Sequence, residues 1–327
     1  MLFSLSLFSA SFLTIILKCN GVDELFKYRT YKEINEFMEE IETKHNDIVS
    51  SFTIGLSAQG RSINGIKIST GRQGNQTSRT AVLMDAGMHA REWIAPVVLL
   101  YAINQLLENT SYTNLMDTLD WYFVPMINPD GYIFSMDPKG DRLWRKNRPT
   151  TTRSYCQGVD LNRNFGYFWG GSGSSGNPCM FSYRGPFPYS EPEAIAFARF
   201  VLSISDNVKL YLTLHSSAQA IIYPWGYSDY VPPDWMELDA LAKKAQYAIF
   251  SINGTHYQVG PTTRIVGEGA GGSDDWAKAR AGIKYVYTVE LPGPQYPLNG
   301  FHPPIAALPV ICEEAFEGIK VFAEGIL

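Results

Sequence analysis

Hydrophobic positions along the chain alternate between two spacings. In "YKEINEFMEEIETKH" (31–45), Ile34, Phe37, Met38 and Ile41 recur at the helical period, which predicts a surface helix. Short strand-like runs follow: "SFTIGLS", "GIKIST", "TAVLMDAG" and "DWYFVPMIN". Between the last two, "APVVLLYAINQLLEN" has the length and pattern of a helix with one buried face. Further on, "PEAIAFARFVLSI", "MELDALAKKAQYAIFSIN" and "PVICEEAFEGIKVFAEGI" predict helices, and "KLYLTLHS" and "GIKYVYTVEL" predict strands. Helices alternating with apolar strands imply an α/β fold: a mixed, largely parallel twisted sheet with helices on both faces. No repeat, coiled coil or long linker interrupts the pattern, so one domain is expected over residues 21–327.

In such a sheet, ligands collect beyond the carboxyl ends of the strands. Three titratable groups are delivered there. His89 and Glu92 follow "TAVLMDAG", His215 ends "KLYLTLH", and Glu290 ends "GIKYVYTVE". One histidine and one glutamate at this spacing are an unfinished metal site, and His215 is the candidate third ligand; catalytic zinc takes three protein ligands and keeps a fourth position open. Of the other histidines, His45 lies on the predicted surface helix, and His256 and His302 lie in loops. On spacing alone, a metal site and hydrogen-bonded structural histidines both remain open.

Composition narrows the class. The 327 residues are 45% hydrophobic and 18% charged, with a net charge of -5 and no block of Lys or Arg, which excludes a nucleic-acid binder. The apolar run that opens the chain stops at Lys18, too short for a membrane span. A signal peptide over residues 1–20 is expected, with an uncleaved anchor as the alternative, since the run lacks a basic start and a clear cleavage pattern. No second span follows, so neither stable membrane insertion nor a lipid anchor is expected. Cys156 and Cys179 bracket a loop rich in Gly, Ser and Pro, where a disulfide would suit an exported protein. Cys19 would leave with the signal peptide, and Cys312 sits unpaired on an apolar helix face as a buried, inert thiol. Asn75, Asn109 and Asn253 begin N-x-S/T triplets, as expected of a secreted glycoprotein.

Residue identity goes further than spacing. "GMHAREW", "INPDGY", "RLWRKNR", "GVDLNRNF", "HSSAQAIIYPWGY", "GGSDDW" and "YTVELPG" occur in this order. The chain thereby resembles the zinc carboxypeptidases of the A and B type, from about Tyr28 to the last helix. The resemblance implies one Zn²⁺ held by His89, Glu92 and His215. It implies that Glu290 is the general base toward a zinc-activated water, and that Arg145 polarises the scissile carbonyl. Asn162 and Arg163 match the pair that clamps the free carboxylate of a peptide or protein C-terminus, which an endopeptidase would not need. Arg91, Ser216 and Gly226 fall at further substrate-binding positions, Gly272 at a pocket position, and Ile222 at its wall. Arg142, Lys146 and Arg148 are expected to be solvated surface charges.

Asp274, after the serine of "GGS", matches the residue on the floor of the specificity pocket. An acidic residue there is the B-type pattern and implies release of Lys or Arg. Glu268 adds negative charge and Arg264 offsets some of it. Two features depart from the family pattern. Gly267 stands where a mobile tyrosine covers the substrate carboxylate, and no pro-segment is apparent between the leader and the catalytic domain. An active, monomeric, secreted carboxypeptidase is therefore expected. The alternatives are a catalytically impaired binding or regulatory protein on the same fold, and a related zinc hydrolase that deacylates small amino acids.

Overall fold

The computed structural model describes residues 24–71, 79–150, 155–293 and 295–327. The apolar leader, Cys19 and Asn75 lie outside the described residues. Helix α1 (Tyr31–Lys44) begins at Thr30, whose side chain accepts from the Glu33 amide while Glu33 reaches back to the Thr30 amide. Its buried residues are Ile34, Met38 and Ile41, three of the four predicted. The chain continues through β1 (Val49–Leu56), β2 (Ser62–Ile68), β3 (Ala81–Asp85), α2 (Ile94–Glu108), α3 (Thr113–Thr118), β4 (Asp120–Val124) and α4 (Pro129–Met136). The second half adds α5 (Pro192–Ile204), β5 (Val208–Ser216), β6 (Ala220–Tyr223), α6 (Trp235–Asn253), β7 (Gln258–Pro261), α7 (Thr262–Ile265), α8 (Ser273–Ala279), β8 (Tyr285–Leu291) and α9 (Leu308–Glu324).

Eight strands form one sheet in the order β1-β2-β4-β3-β5-β8-β6-β7. The centre, β4-β3-β5-β8, is parallel. Antiparallel pairs join β1 to β2, β2 to β4, and β6 to β8. Helices cover both faces, with α2 and α9 on one side and α5 and α8 on the other. This double covering explains why β3 and β5 are mostly apolar: β3 is buried along its whole length, and β5 nearly so.

Sheet register sets the site. His215 and Glu290 are direct partners on β5 and β8, so both side chains leave the sheet at the same edge. Beside them, β3 ends at Asp85 and turns sharply through Gly87 at φ +68. A Cβ at Gly87 would lie 2.7 Å from Met126 Sδ, so only glycine makes this turn, which sends residues 88–93 back over the sheet edge. Asp85 itself is buried under Tyr211, whose hydroxyl donates to it at 2.6 Å.

Cys156 and Cys179 are disulfide-bonded, with Cα atoms 5.0 Å apart across a separation of 23 residues. Replacing both with serine should lower stability by about 3 kcal/mol, the entropy of a loop of that size. Thermal unfolding with and without reductant checks this, and an unchanged midpoint would show that the loop is held by other contacts. Cys312 is free and buried on α9, and burial pushes its thiol pKa up, away from reactivity. Among the described residues, no helix is long and apolar enough to cross a membrane.

Candidate metal centre and substrate cleft

His89 and Glu92 lie on the short segment between β3 and α2. The Glu92 backbone carbonyl accepts the Ala95 amide at the start of that helix, which anchors the segment. His215 arrives from β5. All three side chains are buried, with ligating atoms within 4.8 Å of one another. Nδ1 of His89 lies 2.9 Å from Glu92 Oε1, and Nδ1 of His215 lies 2.8 Å from Glu92 Oε2. The two Nδ1 atoms are 3.0 Å from each other. Asp160 sits on the far side of the His89 ring, 3.0 Å from Nε2. A proton on Nε2 facing that carboxylate leaves the Nδ1 lone pair pointing at Glu92.

Electrostatics favour a cation here. Burial alone would raise the Glu92 pKa, but the two imidazoles outweigh it and hold the carboxyl well below its usual range. Burial lowers His215, and Glu92 overrides it, pushing the pKa up to about 9. Two inward-facing imidazole nitrogens and a carboxylate, dry and converging, match the donor set of zinc. Asp160 extends the arrangement: it pairs with Arg145 through Nε and Nη2, both at 2.9 Å, and accepts the Asn162 amide at 3.0 Å. Asp160 is a functional residue that no motif spacing in the sequence singles out. Its one signal is a lone carboxylate in the apolar stretch "GVDL", two residues before Asn162.

A cavity of about 200 Å³ opens beside these groups. Its wall includes Arg145, Asn162, Arg163, Ser216, Asp274 and Glu290, with Ile222 and Gly272 also contributing. Asn162 Oδ1 accepts the Ser273 amide at 2.8 Å, which turns its NH₂ donor elsewhere. Arg163 is braced by the carbonyls of Gly173 and Asn162, at 3.0 and 2.7 Å. Gly269 leaves room for it, since a Cβ there would sit 3.1 Å from the guanidinium.

The adjacent aspartates of α8 part ways. Asp275 accepts the amides of Gly226 and Tyr227 and lies outside the cavity lining, whereas Asp274 lines it. Asp274 Oδ2 accepts the Thr288 hydroxyl at 3.3 Å, and Arg163 is the nearby cation that senses it. Burial, together with the Asp274 charge, pushes the Asp275 pKa well up. Glu290 stands at the cavity wall with the Ala218 amide 3.5 Å from Oε2, and burial followed by Glu92 raises its pKa.

Not every expected residue joins this cavity. Gly226 lies behind it: its amide goes to Asp275 and its carbonyl accepts the Gly269 amide at 2.7 Å, so it shapes the rim. Arg91 stacks 4.2 Å from the Phe301 ring and lines a neighbouring groove of about 410 Å³. The three cations expected in solvent are instead held against aromatic rings. Arg142 lies 3.5 Å from the Trp93 ring, Arg148 3.6 Å from Phe134, and the buried Lys146 5.6 Å from Tyr183. Arg264 is exposed and absent from the cavity wall, while Glu268 is on it. His45 pairs with Glu108 and His302 stacks on Tyr28, so neither is near the centre.

The family model described as "Zinc carboxypeptidase" matches residues 34–318. The chain belongs to the zinc carboxypeptidases. It is a peptide hydrolase of the metalloprotease class, with one Zn²⁺ as cofactor. Carboxypeptidase B of Astacus astacus is 39% identical over 301 residues, covering 91% of this chain and 97% of that protein. Carboxypeptidase A2 of Mus musculus is 38% identical over 303 residues, covering 91% and 70%. Among solved structures, bovine thrombin-activatable fibrinolysis inhibitor in complex with tick carboxypeptidase inhibitor has a TM-score of 0.85 at 33% identity, covering 93% of this chain and 98% of that one. Carboxypeptidase A from Helicoverpa armigera has a TM-score of 0.86 at 31% identity, covering 92% and 74%. Relatives named for both the A and the B type match at similar identity, so overall likeness does not select a terminal residue.

Proposed function

We propose that this carboxypeptidase removes Lys or Arg from the C-termini of peptides and proteins, and that it is exported. The observation that carries the specificity is Asp274, buried in the cavity wall beside Arg163 while Asp275 is turned away. A carboxylate in a largely enclosed pocket is costly to leave unpaired, so a cationic side chain gains where an apolar one loses. Asn162 and Arg163 bind the substrate's terminal carboxylate, which restricts cleavage to the last bond.

His89, Glu92 and His215 hold the metal, which supplies Lewis acidity and makes water more acidic. Glu290 accepts a proton from the attacking water and passes it to the departing amine. Arg145, fixed by Asp160, donates to the oxygen on which negative charge develops. Asp160 is a positioning residue that orients both His89 and Arg145. Export rests on the leader at 1–20, the disulfide and the N-x-S/T triplets, with residues 21–327 as the mature catalytic domain. Asn253 lies exposed at the end of α6, open to a glycan, and the enzyme is expected to act as a monomer.

The test of this reading is turnover of matched peptides with free and amidated C-termini, with and without a chelator. Only the free end should be cut, chelation should abolish the reaction, and Zn²⁺ should restore it. Cleavage of the amidated peptide at the last bond would sink the clamp. For Asp160, the Asp160→Asn variant should bind zinc about 10–100-fold more weakly, measured by competition with a chromogenic chelator. Undiminished affinity would mean that the His89 ring needs no such support.

A further inference from the structure

We infer that Phe181 selects the penultimate residue of the substrate, and that peptides carrying an aromatic or large apolar side chain there are the best substrates. The inference rests on the terminal clamp proposed above, which fixes the direction in which a peptide lies. With its last carboxylate at Asn162 and Arg163 and its last side chain at Asp274, the rest of the peptide must leave the cavity. The cavity and the adjacent groove share two residues, Arg145 and Phe181. A chain running from the clamp into that groove therefore passes over the Phe181 ring.

Phe181 is 59% exposed, a large apolar surface left in water at the mouth of the cleft. Among the described residues lining the cavity it is the one Phe, Tyr or Trp. The facing rim offers Val266, Gly267 and Glu268, and Gly267, at φ +91, would have no atom within 4 Å of an added Cβ. Within the cavity, aromatic contact with the substrate thus comes from one side alone. The ring is also held in place. The Cys156–Cys179 bridge lies two residues before it, Lys146 Nζ donates to the Pro178 carbonyl, and Ser175 donates its amide to the Ser182 carbonyl at 2.9 Å. A ring pinned in this way loses little freedom when a partner covers it. Arg145 lies 5.9 Å from the same ring, so a second cation in the penultimate place is disfavoured.

The experiment uses peptides identical except for Gly, Leu, Phe or Lys before a constant last residue. Wild-type kcat/KM should favour Phe over Gly by about three- to tenfold, the range for an added aromatic contact, with Lys the poorest of the four. Phe181→Ala should bring the Phe-to-Gly ratio to within about twofold, and Phe181→Tyr should restore it. Circular dichroism and zinc content confirm that each variant is folded and loaded. A flat wild-type ratio, or a ratio that survives in Phe181→Ala, overturns the inference. A second series varied only at the last residue tests the Lys/Arg reading separately. If that reading fails, the penultimate ratio is measured on whichever end residue is released fastest.

Discussion

Glu290→Gln should retain zinc and lose about 10²–10⁴-fold in kcat, the usual weight of a positioned general base. The substitution keeps the size of the side chain and removes only its ability to take a proton. Burial and the nearby Glu92 charge hold the Glu290 carboxyl above its ordinary value. A base works only when ionised, so wild-type turnover should fall as the pH drops through the Glu290 titration of the zinc-loaded enzyme. The Gln variant should lack this acid limb. Metal content by atomic absorption, together with the pH profile of kcat/KM, checks both parts. Near-normal kcat with zinc bound would mean that another group activates the water.

Asp274→Ile should redirect the enzyme. Leaving a buried charge without its partner costs about 2–5 kcal/mol, so release of C-terminal Arg should fall by about 10²–10³-fold in kcat/KM while release of Leu or Phe rises. The measurement is kcat/KM for one peptide series ending in Arg, Lys, Leu and Phe, on both proteins. Asp275→Asn is the informative companion. Because Asp275 holds the Gly226 and Tyr227 amides, that variant should weaken all substrates alike and leave the ratio standing. A ratio that shifts with Asp275 and not with Asp274 would exchange their roles.

What could be read from the chain beforehand follows from where the information lies. Strands β3, β5 and β8 are legible because a sheet covered on both faces demands predominantly apolar strands, and their ends announce His89, His215 and Glu290. Strands β6 and β7 are not, since each has only four residues and their pairing is set by neighbours far along the chain. Helix α8 escaped for the same reason: its seven residues open with Ser, Asp and Asp, and its burial comes from the sheet it packs on. Asp160 was missed because its meaning lies in His89, 71 residues away. Arg142, Lys146 and Arg148 look like surface charges in the sequence because the rings beside them, on Trp93, Tyr183 and Phe134, belong to other segments. Charge is visible in a sequence, whereas its neighbours are a product of the fold.

The most direct test is a single competition. Wild-type enzyme is given an equimolar mixture of peptides that differ only in the last residue, and the freed amino acids are followed by mass spectrometry. Lys and Arg should appear first and well ahead of Phe, Leu and Glu, and a chelator should stop release of all of them. Phe or Leu released as fast as Arg by the zinc-loaded enzyme would contradict the account.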